Sequence, residues 1–193
     1  MRKIKRQEWM ILLFNVIYLI IFAILYASRA NYEFLLYIGV LIFFIILVSI
    51  KQLKYNFPIY VLIGLSIWGL MHMCGGYLRV GDGVLYGYWL LPFLRFDQFV
   101  HAFGFGFAAL FCYYILKPNL SSKYSRATIY ILTVLMGMGL GALNEIVEFT
   151  AVLLMPQTGV GGYENTMWDI VFNTIGSIIA VTWLNFIEKN KKK

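Results

Sequence analysis

Charged residues are scarce in this 193-residue chain, where Asp and Glu together number nine and all charged residues make up 13%. Soluble domains carry roughly a quarter of charged residues, so the composition excludes an ordinary soluble protein. Two cysteines are too few for a disulfide scaffold. The sequence also contains no nucleotide-binding glycine loop, no HExxH motif and no paired CxxC motif. The common signatures of soluble enzymes and zinc modules are therefore missing.

Apolar residues dominate instead, at 61% of the chain, with 18% aromatic residues. Helices of about 20 apolar residues span the ~30 Å hydrocarbon core of a bilayer. The apolar runs are continuous rather than alternating, which argues against a β-barrel. We predict an all-α, polytopic membrane protein with one transmembrane domain over residues 1–193. The six predicted spans are 9–27, 33–50, 58–74, 96–116, 127–154 and 168–187.

The basic residues indicate an orientation in the membrane. The two chain ends and the loops after spans two and four contain Arg2, Lys3, Lys5, Arg6, Lys51, Lys54, Lys117, Lys123, Arg126, Lys189, Lys191, Lys192 and Lys193. The opposite loops contain Arg29, Arg79 and Arg95. Since Lys and Arg are enriched in cytoplasmic loops, both termini are predicted to be cytoplasmic. The short Lys-rich terminus suits anionic lipid headgroups, and nucleic-acid binding is not expected.

Eight polar side chains lie in or beside four of the spans. They are His72, Asp97, His101, Asn144, Glu145, Glu148, Asp169 and Asn173. With the predicted orientation and a rise of 1.5 Å per residue, they fall within a layer roughly 8–10 Å thick near the outer membrane face. Ionisable groups within a bilayer usually face a bundle interior or an aqueous cavity, and they mark functional sites. The sequence therefore predicts a polar pocket that opens toward the outer leaflet.

Spans four and six share a spacing of polar and small residues. The matching positions are Asp97, His101, Gly104 and Ala108 in span four, and Asp169, Asn173, Gly176 and Ala180 in span six. The intervals of four, seven and eleven residues place each set along one stripe of its helix. Small residues allow membrane helices to approach closely. We therefore predict a packing seam between these two spans, with the polar residues meeting at its outer end.

The carboxylates in this layer require a compensating positive charge. Glu145 and Glu148 are one turn apart, with Cβ atoms expected about 5–6 Å from each other, and two such carboxylates resist joint ionisation without a cation or a shared proton. Asp97 and His101 likewise place two ligand types on one helix face, as in metal-binding helix bundles. His72 would complete a nitrogen and oxygen shell suited to Zn²⁺, Mn²⁺ or Fe²⁺. These five residues are the predicted metal ligands.

Four further residues are predicted to surround the ligands or to bind substrate: Arg95, Asn144, Asp169 and Asn173. Arg95 is expected to meet an anionic group arriving at the outer leaflet. The asparagines are expected to orient ligands or to join helices. Two alternatives stay open at this level: a proton-sharing or substrate-binding pocket without metal, and a structural hydrogen-bond network. No catalytic residue is indicated.

The same residues carry a resemblance to known families. The chain resembles the bacterial inner-membrane proteins typified by YjdF, through His72 before Gly75 and Gly76, Arg95 and Phe96 before Asp97 with His101, Asn144 and Glu145 with Glu148, and Asp169 with Asn173 and Gly176. Spans four to six resemble, more distantly, the VanZ-like family linked to teicoplanin resistance. VanZ-like proteins usually have an acidic residue followed by Gln where this chain has Glu145 and Glu148. The resemblance implies a multi-pass protein of the bacterial plasma (inner) membrane.

Three functions are consistent with these observations. The first is a metal-dependent enzyme that acts on a lipid or a lipid-linked envelope precursor, with metal-activated water as the nucleophile. The second is a lipid or amphiphile binding or transport protein that uses the same pocket. The third is an accessory envelope protein whose polar layer is structural. Membrane lipids are the expected partners in each case, and a lipid-linked substrate is expected in the first.

Overall fold

The computed structural model describes residues 3–121 and 123–190, and within them six helices are long and apolar enough to cross a membrane. They are α1 (Arg6–Ser28), α2 (Tyr32–Tyr55), α3 (Ile59–Tyr77), α4 (Phe96–Leu116), α5 (Arg126–Leu154) and α6 (Tyr163–Asn190). The predicted all-α class with six spans is confirmed. Arg2 and the last three lysines of the predicted basic termini lie outside the described residues.

Local sequence sets several helix boundaries. The side chain of Asn31 accepts a hydrogen bond from the backbone N–H of Phe34 at 3.1 Å, which caps the start of α2. Asn56 ends this helix in the left-handed conformation, with φ of 49°, and Pro58 precedes α3. Helix α6 begins at Tyr163, earlier than the predicted residue 168. Glu164 in its first turn stabilises the positive end of the helix dipole.

The chain divides into two compact units. The first unit comprises Met1–Phe96 and Val147–Val160, and the second comprises Asp97–Ile146 and Gly161–Lys193. Helix α5 therefore contributes to both units. The single transmembrane domain predicted from the sequence stays a prediction.

The first unit has an aromatic core whose buried polar groups are paired. The ring of Tyr26 stacks on Phe34 with centroids 4.5 Å apart, and its hydroxyl donates to the carbonyl of Met73 at 2.7 Å. The amide of Asn15 donates to the hydroxyl of Ser66 at 2.8 Å and so joins α1 to α3. Hydrogen bonds of this kind offset the desolvation of the polar groups that the helices bury.

Two short β-hairpins lie between α3 and α4 in the first unit. Strands β1 (Arg79–Val80) and β2 (Gly83–Val84) form the first hairpin, and β3 (Trp89–Leu91) and β4 (Leu94–Arg95) form the second. Gly81 occupies the left-handed region with φ of 59° in the first turn, a conformation that favours glycine. The hairpins satisfy backbone groups of a segment that would otherwise be irregular.

In the second unit, α4 and α6 pack at small residues. A Cβ atom on Gly176 would clash with the backbone carbonyl of Ala102, and one on Gly106 would lie 3.1 Å from the carbonyl oxygen of Gly176. Ala108 and Ala180 are buried along the same stripes. Gly176 thus packs against α4 as predicted, and the close contacts shown on α4 are at Ala102 and Gly106, which were not among the predicted positions.

Near the C-terminal end of α6, one carboxylate joins the three helices of the second unit. Glu188 on α6 accepts hydrogen bonds from the hydroxyls of Tyr113 on α4 and Tyr130 on α5. Lys117 donates to the same carboxylate at 2.5 Å. This cluster joins the ends of α4, α5 and α6, and it was not predicted from the sequence.

Candidate metal site

Helices α4 and α6 bring three of the singled-out side chains together in the second unit. His101 Nε2 lies 3.6 Å from Asp97 Oδ1 and 3.8 Å from Asp169 Oδ1. One ligand atom from each of the three residues lies within 4.8 Å of the others. The side chain of Asp97 is 20% exposed, whereas those of His101 and Asp169 are 8% and 3% exposed. The cluster is thus buried on two sides and reaches the protein surface at Asp97.

Asn173 fixes the orientation of the imidazole ring. Its Oδ1 atom lies 2.9 Å from His101 Nδ1, within hydrogen-bond distance. An amide oxygen only accepts, so in this arrangement Nδ1 carries the proton and Nε2 keeps its lone pair. The ring also stacks on Phe105, with centroids 5.9 Å apart. As a result, a nitrogen lone pair and two carboxylate oxygens face one another.

Asn165 holds the two aspartates in place. Its Nδ2 atom donates to Asp169 Oδ2 at 2.6 Å and to Asp97 Oδ2 at 3.1 Å. Because these bonds engage the Oδ2 atoms, the Oδ1 atoms are left on the side of His101. A Cβ on Gly161 would clash with the Asn165 side chain, so the preceding loop packs tightly here. Asn165 was not predicted from the sequence, although it extends the Asp169 and Asn173 stripe by one helical turn.

Glu145 lies at the opposite edge of the imidazole ring. Its Oε1 atom is 4.0 Å from His101 Nδ1, and the residue is 8% exposed. Within the described residues, neither of its carboxylate oxygens has a hydrogen-bond partner, and the same holds for Nδ2 of buried Asn173. Two predicted ligands therefore fall on two edges of one ring, Asp97 beside Nε2 and Glu145 beside Nδ1, and Asp169, predicted only as a supporting residue, lies beside Nε2 as well.

The separations around Nε2 suit a shared cation better than direct hydrogen bonds. Hydrogen bonds join donors and acceptors about 2.7–3.2 Å apart, and the separations of 3.6 and 3.8 Å exceed that range. Two ligands bound to one metal at about 2.0–2.2 Å lie roughly 3–3.5 Å from each other, so small side-chain shifts would complete the site. Three protein ligands with a water in the fourth position is the arrangement of catalytic zinc sites.

His72 has its own set of contacts in the first unit. The hydroxyl of Tyr86 hydrogen-bonds to its Nδ1 atom and also donates to its backbone carbonyl at 3.1 Å. The rings of Phe34 and Tyr37 contact the imidazole, with centroids 5.7 and 5.4 Å away. No group of three ligand side chains in residues 3–121 and 123–190 includes His72. Its role as a metal ligand stays a prediction.

The remaining predicted residues are distributed along the chain. Arg95 lies in β4 of the first unit, with its guanidinium 4.7 Å from the centroid of the Trp89 ring. Glu148 follows Glu145 by one turn on α5, is half-buried, and belongs to the first unit. Asn144 directly precedes Glu145 and is also half-buried. Their roles around the site stay predictions.

Comparison with known proteins agrees with this architecture. The family profile described as "Predicted membrane protein (DUF2238)" matches residues 9–190, which include every residue of the candidate site. The more distant resemblance to VanZ-like proteins finds no support in this match. Searches of curated proteins and of solved structures give no match. Since the profile covers most of its length, the chain belongs to the DUF2238 family of predicted membrane proteins.

Proposed function

We propose that the second unit binds a divalent metal ion through Asp97, His101 and Asp169, and that the protein is a metal-dependent hydrolase of membrane lipids or lipid-linked envelope precursors. This proposal rests on one observation: Oδ1 of Asp97 and Oδ1 of Asp169 both lie within 4 Å of Nε2 of His101, so that three electron-pair donors face one another. Their mixed nitrogen and oxygen chemistry fits Zn²⁺, Mn²⁺ or Fe²⁺.

Glu145 and Asn173 support the ligands in this proposal. Both lie beside His101 Nδ1, at 4.0 and 2.9 Å. A metal-bound histidine commonly donates its second N–H to a carboxylate or a carbonyl oxygen, which fixes the tautomer and raises the basicity of the ligand nitrogen. Glu145 therefore acts from the side of the ring that faces away from the ion, and its charge balances that of the metal.

A bound divalent ion would supply an activated water at the fourth position. Held by Asp97, His101 and Asp169, the ion would supply the chemistry of ester hydrolysis: water would add to the carbonyl carbon or phosphorus, the ester bond would break, and the proton released by the water would pass to the leaving oxygen. The partial exposure of Asp97 provides the approach for substrate. Exposed apolar side chains, Phe99 on α4 and Trp168 on α6, lie within two positions of the two aspartates and suit an amphiphilic substrate.

The polar residues of the second unit favour an enzyme over a transporter. Between the candidate site and Glu188, the described part of this unit has no carboxylate or histidine in its sequence. Buried Ser177 and Thr133 donate to carbonyls of their own helices, at 2.9 and 2.8 Å. A proton- or ion-coupled pathway needs titratable or ligating groups along its length, and these two hydroxyls are already engaged.

Metal analysis tests the first part of the proposal. The full-length protein, purified in mild detergent and equilibrated with Zn²⁺, Mn²⁺ or Fe²⁺, is expected to retain about one ion per chain, measured by mass spectrometry of the metal. His101→Ala is expected to lose the ion, and Glu145→Gln to bind it roughly tenfold more weakly. Wild-type protein that retains no ion after equilibration would overturn the proposal.

A product assay tests the second part. The metal-loaded protein is incubated with bacterial membrane lipids, and the products are followed by mass spectrometry. Metal-dependent release of a hydrolysed lipid or headgroup supports the hydrolase. Metal binding without product, together with ion-coupled uptake of an amphiphile into proteoliposomes, would replace it with the transporter. The proposed location is the bacterial inner membrane, in agreement with the resemblance to YjdF-type proteins.

A further inference from the structure

The second hairpin of the first unit, residues 89–95, has an apolar tip. Strands β3 and β4 pair Leu91 with Leu94, and the turn between them contains Pro92 and Phe93. Phe93 is 74% exposed and Leu91 is 47% exposed, and Leu90 beside them is also exposed. Contiguous exposed apolar residues of this size are uncommon on surfaces that face water and usually mark a contact with a partner or a membrane.

The position of the hairpin in the chain indicates that its apolar tip contacts lipid. Arg95, the last residue of β4, is followed directly by Phe96, the first residue of the membrane-spanning helix α4. At about 3.3 Å per strand residue, the tip lies within roughly 10 Å of the start of α4. The headgroup region on each side of the hydrocarbon core is about 5–8 Å deep. The tip is therefore within reach of the leaflet that α4 enters.

The base of the hairpin has the chemistry of a membrane interface. Trp89 pairs with Arg95 across the strands, and the guanidinium lies 4.7 Å from the indole ring. Tryptophan is enriched at the headgroup level, and a guanidinium binds phosphate oxygens while it stacks on an aromatic face. Along its short length, the hairpin thus changes from a cationic and aromatic base to a purely apolar tip, as a leaflet changes from phosphate to acyl chain.

The first hairpin of the same loop has the opposite character. Its turn consists of Gly81 and Asp82, and its strands contribute Arg79 and small or β-branched residues. An exposed carboxylate at the tip favours water over lipid. The apolar tip is consequently a property of the second hairpin and not of the loop as a whole.

We infer that residues 89–95 form a lipid-inserted finger, whose tip enters the leaflet in which α4 begins and whose Arg95 binds the phosphate of a phospholipid. This inference does not depend on the proposed metal site. It requires the geometry and exposure of the hairpin in the first unit and its direct connection to the first residue of α4.

Site-directed spin labelling tests the finger in the full-length protein reconstituted in phospholipid nanodiscs. The label is placed at Phe93→Cys or Leu91→Cys, with Asp82→Cys as the matched control, after replacement of the native Cys74 and Cys112 by alanine. Accessibility to oxygen, which concentrates in lipid, is compared with accessibility to a water-soluble nickel chelate. Labels at 91 and 93 are expected to be oxygen-accessible and several-fold less accessible to the chelate than the label at 82.

Equal chelate accessibility at 93 and 82 would overturn the inference, because the tip would then lie in water. Protection of 91 and 93 from both reagents would also overturn it, because protein rather than lipid would cover the tip. The two tip positions are independent, so a variant that fails to fold leaves the other as the test. Arg95→Gln is expected to move the label at 93 toward water, and an unchanged depth would refute the phosphate contact.

Discussion

The two units of the molecule differ in the hydrogen bonding of a buried carboxylate. In the first unit, Glu33 accepts hydrogen bonds from the Tyr37 hydroxyl at 3.2 Å and from the Gly159 N–H at 2.6 Å. In the second unit, the equally buried Glu145 has no hydrogen-bond partner for either oxygen among the described residues. Buried polar groups in native proteins are nearly always paired, so the paired carboxylate is explained by folding alone. Folding alone does not explain the unpaired one, and the proposed metal on the other side of the His101 ring would balance its charge.

The energetic difference between the two carboxylates is considerable. An unpaired buried polar group costs about 1–3 kcal/mol, and more if it is charged, whereas a paired one is close to neutral. A whole domain is stable by only about 5–15 kcal/mol. Unpaired buried groups with a free-energy cost of this size are expected mainly at functional sites. The comparison fits a structural role for the polar groups of the first unit, and it supports the binding role proposed for those around His101.

The largest effect is expected from Asp169→Asn compared with Glu33→Gln. The first change removes one of the charged ligands, so metal affinity should fall at least about a hundredfold, or roughly 2.7 kcal/mol. The second changes a buried carboxyl group of the first unit to an amide and should leave metal affinity unchanged. Isothermal titration calorimetry with Zn²⁺ or Mn²⁺ measures both. Equal losses of metal affinity in the two variants would show that the two units do not differ in their role in metal binding.

Much of this arrangement follows from sequence periodicity. The spacing of Asp97 and His101 predicts one helix face, and the matching spacing from Asp169 to Gly176 predicts a helix seam. A helix brings such residues into line whatever its neighbours are, and close packing at glycine then brings the two faces together. These features depend on local geometry, so a single sequence suffices to find them.

Other features were not predictable for physical reasons. Asn165 was missed because the predicted span began at residue 168, where strong hydropathy begins, whereas the helix extends into the polar residues from Tyr163. Depth along a helix gives the height of a side chain but not its neighbours across the bundle, so the contact between His72 and Tyr86 was not foreseen. The hairpins escaped detection because strands of two or three residues are too short for an alternating pattern.

The second prediction tests whether the seam supports the site in the second unit. In Gly176→Ala, the added methyl group would clash with the Ala102 carbonyl, so α4 and α6 must separate. We expect a loss of about 1–3 kcal/mol in stability, together with weaker metal binding. Gly139→Ala is the matched control, because nothing lies within 4 Å of its added Cβ. Thermal unfolding in detergent compares them, and identical behaviour would contradict the tight seam.

A smaller effect is expected from Asn165→Ala. This variant keeps all three proposed ligands but loses the hydrogen bonds that orient Asp97 and Asp169. Loss of such a supporting residue lowers metal affinity by about 10–100-fold, and the half-buried position of Asn165 favours the lower end. Calorimetric titration gives the affinity. An unchanged affinity would show that the aspartates are oriented without this amide.

The smallest effect is expected from Ser66→Ala in the first unit. This change removes the hydroxyl that accepts from Asn15, while the Asn15 amide keeps its bond to the Ile11 carbonyl at 2.8 Å. Since one partner remains, the loss of stability should be about 0.5–1.5 kcal/mol, measured by thermal unfolding in detergent. Metal affinity should not change. A parallel loss of metal binding would mean that buried polar pairs of the first unit also serve the site, and the division of roles between the two units would then fail.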